Sequence, residues 1–182
     1  MRGRALIGMT VVVGAAIVTM SMLPACSQEA APLFGGPEDL GFAHALWEGM
    51  GGYDDWSLSS DVYEGGSPHG AFLRMYYSVV PVDGVPYHVI VKDNFGGAGA
   101  TVESVTETPD EYLMAVTAMV QREAGYDEET MNWFWVKYDA DGTVSKDDAG
   151  RQMAGRVAKG MAQGCIACHA NAEGGDYLFV ND

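Results

Sequence analysis

The sequence has few basic residues for its size. Its 10 lysines and arginines stand against 25 aspartates and glutamates, which gives a formal net charge of −15. Such a charge argues against binding to nucleic acid or to an anionic lipid surface, because both attract positive protein surfaces. A negative net charge is compatible with high solubility or with binding to a basic partner protein. Hydrophobic residues make up 48% of the chain, so a core can form and global disorder is excluded.

Cysteine is also scarce, and the three cysteines do not form a zinc-site pattern. A structural zinc site needs about four ligands, usually from a second Cys or His pair. Beyond Cys165 and Cys168 the chain has no second C-x-x-C, and no H-x-x-x-H follows. A thioredoxin-like redox pair usually opens a helix within a βαβ unit, whereas this pair lies near the end of the chain. A phosphate-binding loop is excluded, since residues 94–99 lack the G-x-x-x-x-G-K pattern.

The chain does contain one complete C-x-x-C-H motif, at residues 165–169. This spacing is the attachment signature of c-type haem. Two thiols three positions apart can each add to one vinyl group of the same porphyrin, and the next histidine then lies under the iron. The sequence therefore predicts one haem c held by thioethers from Cys165 and Cys168, with His169 as axial ligand.

The first residues predict export. Arg2 and Arg4 precede an apolar stretch at residues 5–22, which is the layout of a secretory signal. The letters L-P-A-C that follow resemble a bacterial lipobox and imply cleavage before a lipidated Cys26. A retained membrane anchor and a plain signal peptide with an incidental Cys26 are the alternatives. We interpret residues 1–25 as a signal peptide.

This interpretation sets the domain organisation and the location. Residues 26–36 are a lipidated, flexible tether, and residues 37–182 form a haem domain of ordinary single-domain size. Bacteria attach haem c outside the cytoplasm, so we expect a lipid anchor on the periplasmic side of a membrane. Cys26 is followed by Ser27 and not by the aspartate that signals inner-membrane retention in some bacteria, which favours the outer membrane.

Periodicity predicts a mainly β fold with a few helices, an α+β class whose antiparallel sheet is followed by a C-terminal helix carrying the haem. Apolar alternation predicts strands at residues 71–79, 87–92, 101–106 and 131–138. Residues 112–121 suit a strand or a helix, and their β-branched side chains favour a strand. Helices are predicted at residues 38–50 and 147–163, and the second leads into the C-x-x-C-H motif.

The position of the motif excludes two common haem folds. Small class I cytochromes c carry it near the start and take a later methionine ligand, but no Met and no His follows His169. The four-helix cytochromes c′ end in this motif, but residues 69–144 do not suit long amphipathic helices. Any sixth ligand must therefore come from a methionine or from His44, His69 or His88.

Four further segments, taken in order with the motif, resemble the cytochrome P-460 family, a mostly β fold with one C-terminal c-type haem. Its close relatives are the β-type cytochromes c′. The segments are His69-Gly70 before a strand, D-G at 83–84 with V-I-V-K ending at Lys92, N-W-F-W at 132–135 before a Y-D-x-x-G turn, and D-Y-L-F at 176–179. The resemblance covers residues 53–182.

The resemblance implies a five-coordinate iron with an open distal site that binds hydroxylamine and nitric oxide. In the oxidising members a strand lysine is bonded to the porphyrin edge, and Lys92 occupies the matching V-x-V-K position. Those members also use a distal carboxylate, for which residues 112–121 offer no acid. Gas-binding relatives have a hydrophobic distal cap, for which Phe72 or Phe95 could serve.

Three functions are compatible with the resemblance. The first, which we prefer, is oxidation of hydroxylamine, with or without nitric oxide, with electrons passed to an external redox protein. The second is binding of nitric oxide or carbon monoxide without turnover. The third is simple electron transfer, which needs a strong sixth ligand. A homodimer is left open.

The other polar candidates have ordinary structural roles as alternatives. His44 is expected in helix packing or at the surface, and His69 in a turn hydrogen bond. His88 shares a strand face with Lys92 and is the leading distal candidate. Arg74 could pair with a haem propionate or lie on the strand surface.

Overall fold

The structure, a computed structural model, describes residues 33–179. Its centre is a six-stranded antiparallel sheet with the strands in sequence order. The strands are β1 (Tyr63–Glu64), β2 (Phe72–Val82), β3 (Val85–Phe95), β4 (Leu113–Gln121), β5 (Trp133–Asp139) and β6 (Ala154–Gly155). The helices are α1 (Pro37–Gly49), α2 (Val102–Glu107), α3 (Pro109–Tyr112) and α4 (Cys165–His169). The predicted mainly β, α+β class is confirmed.

Strands β2 and β3 form a long hairpin. Val82 pairs with Val85 across a two-residue turn at Asp83 and Gly84, whose φ angles are 50° and 80°. Positive φ at both positions is the geometry of a type I′ turn, which matches the right-handed twist of the strands. The turn therefore fixes the register of the hairpin, and with it which side chains share a face.

One face of the sheet packs against α1. Ala43 and Leu46 of the helix are fully buried, and Tyr138 Oη donates a 2.6 Å hydrogen bond to the carbonyl oxygen of Ala43. Strands β2 to β5 contribute Tyr76, Val80, Val89, Val91, Val116, Ala118, Val120, Phe134 and Val136 to this core. Removal of this apolar surface from water is the main force that holds α1 on the sheet.

The opposite face is only partly covered, by the chain that follows β5. Ile166 of α4 packs with Met119, Trp133 and Trp135. Trp133 Nε1 also donates a 3.0 Å hydrogen bond to the carbonyl oxygen of Asp176. These contacts hold α4 and the segment after it against part of the face and leave a cleft beside them.

The strand predicted at residues 101–106 is wrong, because this segment is helical. Thr101 Oγ1 accepts a 3.1 Å hydrogen bond from the backbone N–H of Ser104, and Ser104 Oγ accepts a 2.9 Å bond from that of Thr101. These bonds satisfy backbone donors at the start of α2. Val105 is then buried against Phe95 at the end of β3.

The helix predicted at residues 147–163 is also wrong. Asp147 Oδ1 accepts a 2.9 Å hydrogen bond from the backbone N–H of Arg151, which forms a tight turn before β6. Gly150 and Gly155 have φ angles of 80° and 99°, a region that interrupts a right-handed helix. The C-x-x-C-H motif therefore lies on a separate helix of five residues, α4.

The N-terminal predictions fall outside the described residues. These are the signal peptide at residues 1–25, the lipidated Cys26 and most of the tether at residues 26–36. The domain boundaries stay predictions. Among residues 33–179, every helix is too short or too polar to cross a membrane.

Candidate haem-binding cleft

A cleft lies on the open face of the sheet, against α4 and the C-terminal segment. It encloses about 1060 Å³ of empty space, including the part that is open to solvent. Its lining consists of Pro68, His69, Gly70, Met75, Ile90, Lys92, Asn94, Met114, Ala115, Thr117, Ala118, Met119, Trp135, Val136, Lys137, Met153, Cys165, His169, Leu178 and Phe179. Most of these side chains are apolar, so the cleft suits a largely apolar ligand.

His169 is oriented by the chain that folds back after α4. The residue is 9% exposed, and its Nδ1 lies 2.7 Å from the carbonyl oxygen of Tyr177. A carbonyl oxygen can only accept, so Nδ1 carries the proton and Nε2 keeps its lone pair. Burial lowers the pKa of His169, which favours the neutral form that binds metal. The ring also packs against Phe179, with centroids 5.3 Å apart.

The two cysteines of the motif share a helix face with His169. Cys165, Cys168 and His169 occupy positions i, i+3 and i+4 of α4, which lie on one side of a helix. Cys165 lines the cleft, Cys168 is exposed, and the two thiols form no disulfide. Burial raises the pKa of the Cys165 thiol to about 11, whereas redox-active pairs depend on a lowered pKa. The redox-pair alternative is therefore disfavoured.

The zinc alternative is disfavoured by the surroundings of the motif. Within the part of the chain that the structure describes, no group of three or more His, Cys, Asp or Glu side chains could hold a metal ion. A structural zinc ion needs about four such ligands. The motif thus lacks the partners that a bare ion would need.

Lys92 and Lys137 line the cleft from one row of the sheet. Lys92 pairs with Thr117 of β4, and Thr117 pairs with Lys137 of β5, so both lysines lie on the same face. Both are half-buried, and burial lowers the pKa of Lys92. In residues 33–179 neither forms an ion pair with an acid. Cations in an apolar cleft call for an anionic partner.

His69, for which the sequence predicts a turn hydrogen bond and leaves open a role as sixth ligand, enters the cleft from the loop before β2. The turn is present, because the backbone N–H of His69 donates a 2.8 Å hydrogen bond to the carbonyl oxygen of Gly66. The ring lines the cleft, with Nδ1 2.8 Å from Oδ1 of Asn94. Its centroid is 6.3 Å from that of His169. The His69-Gly70 pair before the strand is the one sequence signal for this placement.

Five other candidates do not line the cleft. His88 is exposed on β3, so its predicted distal role is wrong, and His44 is exposed on α1 as expected. Phe72 and Phe95 belong to a separate small core, so neither forms a hydrophobic cap over the cleft. Arg74 is also absent from the lining. Among the described residues no aspartate or glutamate lines the cleft, in keeping with the missing carboxylate.

The residues present fit a haem. The walls are mostly apolar, like the porphyrin ring, and the two lysines without acidic partners suit the negative charge of its propionates. Cys165 and His169 reach the same cleft from one helix face. The neutral His169 has its Nε2 lone pair available for iron.

Comparison with known proteins agrees with this fit. A family model described as cytochrome P460 matches residues 87–180, slightly more than half of the chain. The matched segment includes Lys92, Cys165 and His169 and begins after His69. Searches of curated proteins and of solved structures gave no match. The chain therefore belongs to the cytochrome P460 family and is a haem cytochrome.

Proposed function

We propose that this cytochrome carries one covalently attached haem c and oxidises hydroxylamine, with or without nitric oxide. The observation that carries the proposal is the convergence of Lys92, Cys165 and His169 on one cleft. Membership of the cytochrome P460 family supports the presence of a haem. In the resemblance drawn from the sequence, a strand lysine at the position of Lys92 distinguishes the oxidising members.

The chain would hold the haem from three directions. Cys165 and Cys168 would form thioethers to its vinyl groups, and Nε2 of His169 would bind its iron. Lys137 is half-buried in the same row of the sheet as Lys92 and would pair with a propionate. Ile90, Met119 and Trp135 would pack on the apolar ring.

Lys92 would add a further bond, from Nζ to the porphyrin edge. Burial lowers the pKa of Lys92, so more of the amine is in the neutral, nucleophilic form. Formation of this bond would release one proton from the amine and one from the ring carbon, and the two electrons would pass to a peroxide, which would be reduced to water or an alcohol. The bond would alter the electronic properties of the ring, which is one way a protein tunes haem.

When bound, the haem supplies the Lewis acidity and redox capacity that hydroxylamine oxidation requires. The chain contributes an apolar cleft that limits access of water, with Met75 and Met119 in its walls. Electrons would leave to a redox protein, and the net charge of −15 suits a basic one. Export and lipidation at Cys26 would place the protein on the periplasmic side of a bacterial membrane, with the outer membrane favoured.

Turnover of hydroxylamine by the purified holoprotein, with an artificial electron acceptor, tests the proposal. We expect the wild type to reduce the acceptor and Lys92→Leu to be slower by at least about tenfold. Lys146→Leu removes an exposed lysine and should keep the wild-type rate. A haem-loaded wild type that binds hydroxylamine or nitric oxide but reduces no acceptor would contradict oxidation. That result would favour gas binding without turnover.

Simple electron transfer is the second candidate, and the position of His69 favours it. This function needs a strong sixth ligand, and the ring of His69 lies 6.3 Å from that of His169 in the same cleft. An electron-transfer protein would exchange electrons with redox dyes but would not consume hydroxylamine. The turnover measurement therefore separates the two candidates.

A further inference from the structure

Asn94 determines which nitrogen of His69 carries the proton. The amide nitrogen of Asn94 lies 2.8 Å from the carbonyl oxygen of Lys92 and 3.2 Å from that of Ala115. Both oxygens are acceptors, so this end of the side chain must be the donating NH₂ group. Oδ1 of Asn94 therefore faces His69 and accepts the proton of Nδ1 at 2.8 Å. Nε2 of His69 is left unprotonated.

His69 and His169 are thus held in the same way. Nδ1–H of His69 donates to the amide oxygen of Asn94, and Nδ1–H of His169 donates to the carbonyl oxygen of Tyr177. This outer contact is the one that orients metal-binding histidines in proteins.

Helix α4 and His69 contact opposite ends of the row of β3 side chains that contains Lys92. Ile90, Lys92 and Asn94 project from the same face of β3, at alternate positions. Ile90 packs with the apolar cluster that includes Ile166 of α4, the helix that carries His169. At the other end of this row, His69 bonds to Asn94. A porphyrin with its edge at Lys92 would therefore have one histidine on each face.

The distance between the rings matches a shared metal ion. Metal–imidazole bonds are ~2 Å long, so two rings that bind one ion from opposite sides have centroids about 6 Å apart. The centroids of His69 and His169 are 6.3 Å apart, and the ring planes are inclined by 78°. At this centroid distance an iron ion bound by His169 would have no room for a further ligand between it and the ring of His69.

We infer that His69 binds the haem iron on the face opposite His169, so that the resting iron is six-coordinate with two imidazole ligands. The family resemblance implies an open, five-coordinate iron, so this chain departs from it. Hydroxylamine, nitric oxide or carbon monoxide must then displace His69 to reach the iron. The inference rests on the proposed axial ligation by His169 and not on hydroxylamine oxidation.

The test is the spin state of the ferric holoprotein, measured by electron paramagnetic resonance and visible absorption. We expect a low-spin spectrum for the wild type and a high-spin spectrum for His69→Ala. His88→Ala removes an exposed histidine of β3 and should leave the spectrum low-spin. Free imidazole should return His69→Ala to the low-spin state, which would show that the variant is folded and its haem in place.

A second measurement is the rate at which carbon monoxide binds the ferrous protein. His69→Ala removes the side chain that competes with carbon monoxide for the iron, so it should raise this rate by at least about tenfold. His88→Ala should leave the rate unchanged. A high-spin wild type would overturn the inference. So would a low-spin spectrum that persists in His69→Ala, which would assign the sixth position to Met75, Met119 or Lys92. A wild type that is low-spin, becomes high-spin in His69→Ala and does not oxidise hydroxylamine would support the inference and contradict only the proposed function.

Discussion

Lys92 and Asp93 are neighbours in β3, and their side chains enter opposite faces of the sheet. Lys92 lines the cleft, whereas Asp93 is 4% exposed and accepts a 2.7 Å hydrogen bond from Tyr53 Oη beside the α1 core. One strand thus presents an amine to the haem side and a buried carboxyl to the core. A register shift of one residue would exchange them, so the β2–β3 hairpin determines the chemistry of the cleft.

The first prediction concerns the bond between Lys92 and the haem. Digestion of the wild-type holoprotein should release a haem peptide that joins the Lys92 segment to residues 165–169, because the half-buried amine lies in the same cleft as His169. Peptide mass spectrometry detects it. Lys92→Leu should release haem on the C-terminal peptide alone, and Lys146→Leu should match the wild type. A wild-type pattern identical to that of Lys92→Leu would exclude the bond, and a Lys137 peptide would move it to β5.

Asp93 predicts a pH dependence of stability. Burial raises its pKa from 3.8 to about 6, against the opposing effect of hydrogen bonds from Tyr53 and Tyr76. The folded protein therefore binds this proton more tightly than the unfolded chain does. The resulting stabilisation is fully present below pH 3.8 and is lost as the pH rises through about 6.

Asp93→Asn should remove this dependence while keeping an oxygen that accepts from Tyr53. Between about pH 4 and about pH 7, its free energy of unfolding relative to the wild type should rise by about 2 kcal/mol. Urea unfolding followed by circular dichroism measures the difference. Asp61→Asn changes an exposed carboxylate and should follow the wild type. Equal pH slopes for the wild type and Asp93→Asn would show that the carboxyl titrates normally.

The sequence allowed the central strands to be predicted because their apolar residues are continuous or alternate over long stretches. It misled at residues 101–106, where the alternation of side chains suggested a strand. The Thr101–Ser104 bonds outweigh that pattern. At residues 147–163, apolar residues at helical spacing suggested a helix, but glycines with positive φ and the Asp147 turn interrupt it. In both segments, local hydrogen bonding decided the structure.

The cleft could be predicted only in part. The C-x-x-C-H motif is contiguous, so Cys165, Cys168 and His169 can be found from the sequence alone. The contact between His69 and Asn94 joins residues 25 positions apart, and it depends on how the loop before β2 folds over the end of β3. His88 was favoured because it shares a face with Lys92, but it lies towards the exposed end of the hairpin. The alternation of side chains along a strand predicts which face of the sheet a residue occupies. It does not predict how far along the strand that residue lies from the cleft.

Covalent attachment of the haem is the third prediction. Acid–acetone extraction should leave the chromophore on the wild-type chain, because thioethers to Cys165 and Cys168 survive this treatment. Cys165→Ala should lose at least one thioether, with a shift in the absorption bands of the pyridine complex. Cys26→Ser is the matched control, since it removes the third cysteine and should keep the haem fully attached. Free extraction of the wild-type haem would contradict c-type attachment.

The fourth prediction is that Cys26 is lipidated and becomes the mature N-terminus. Several acyl chains anchor a protein firmly, whereas one chain gives only marginal membrane binding. Cys26→Ser should therefore release the protein from the membrane fraction or block its processing. Fractionation and mass spectrometry of the N-terminus provide the measurement. Unchanged membrane association with residues 1–25 still attached would point to an uncleaved anchor.

The last prediction tests how the backbone holds His69 in the cleft. A Cβ on Gly70 would collide with the backbone of Phe95 at the end of β3, whereas a Cβ on Gly66 would meet no atom within 4 Å. Backbone atoms in a sheet cannot move aside, so Gly70→Ala should lower the free energy of unfolding by about 1–3 kcal/mol. The shifted loop should also weaken the contact between His69 and Asn94 and raise the high-spin fraction of the ferric protein. Gly66→Ala should change neither property. If Gly70→Ala is destabilised but its spectrum remains that of the wild type, the loop position does not control ligation by His69.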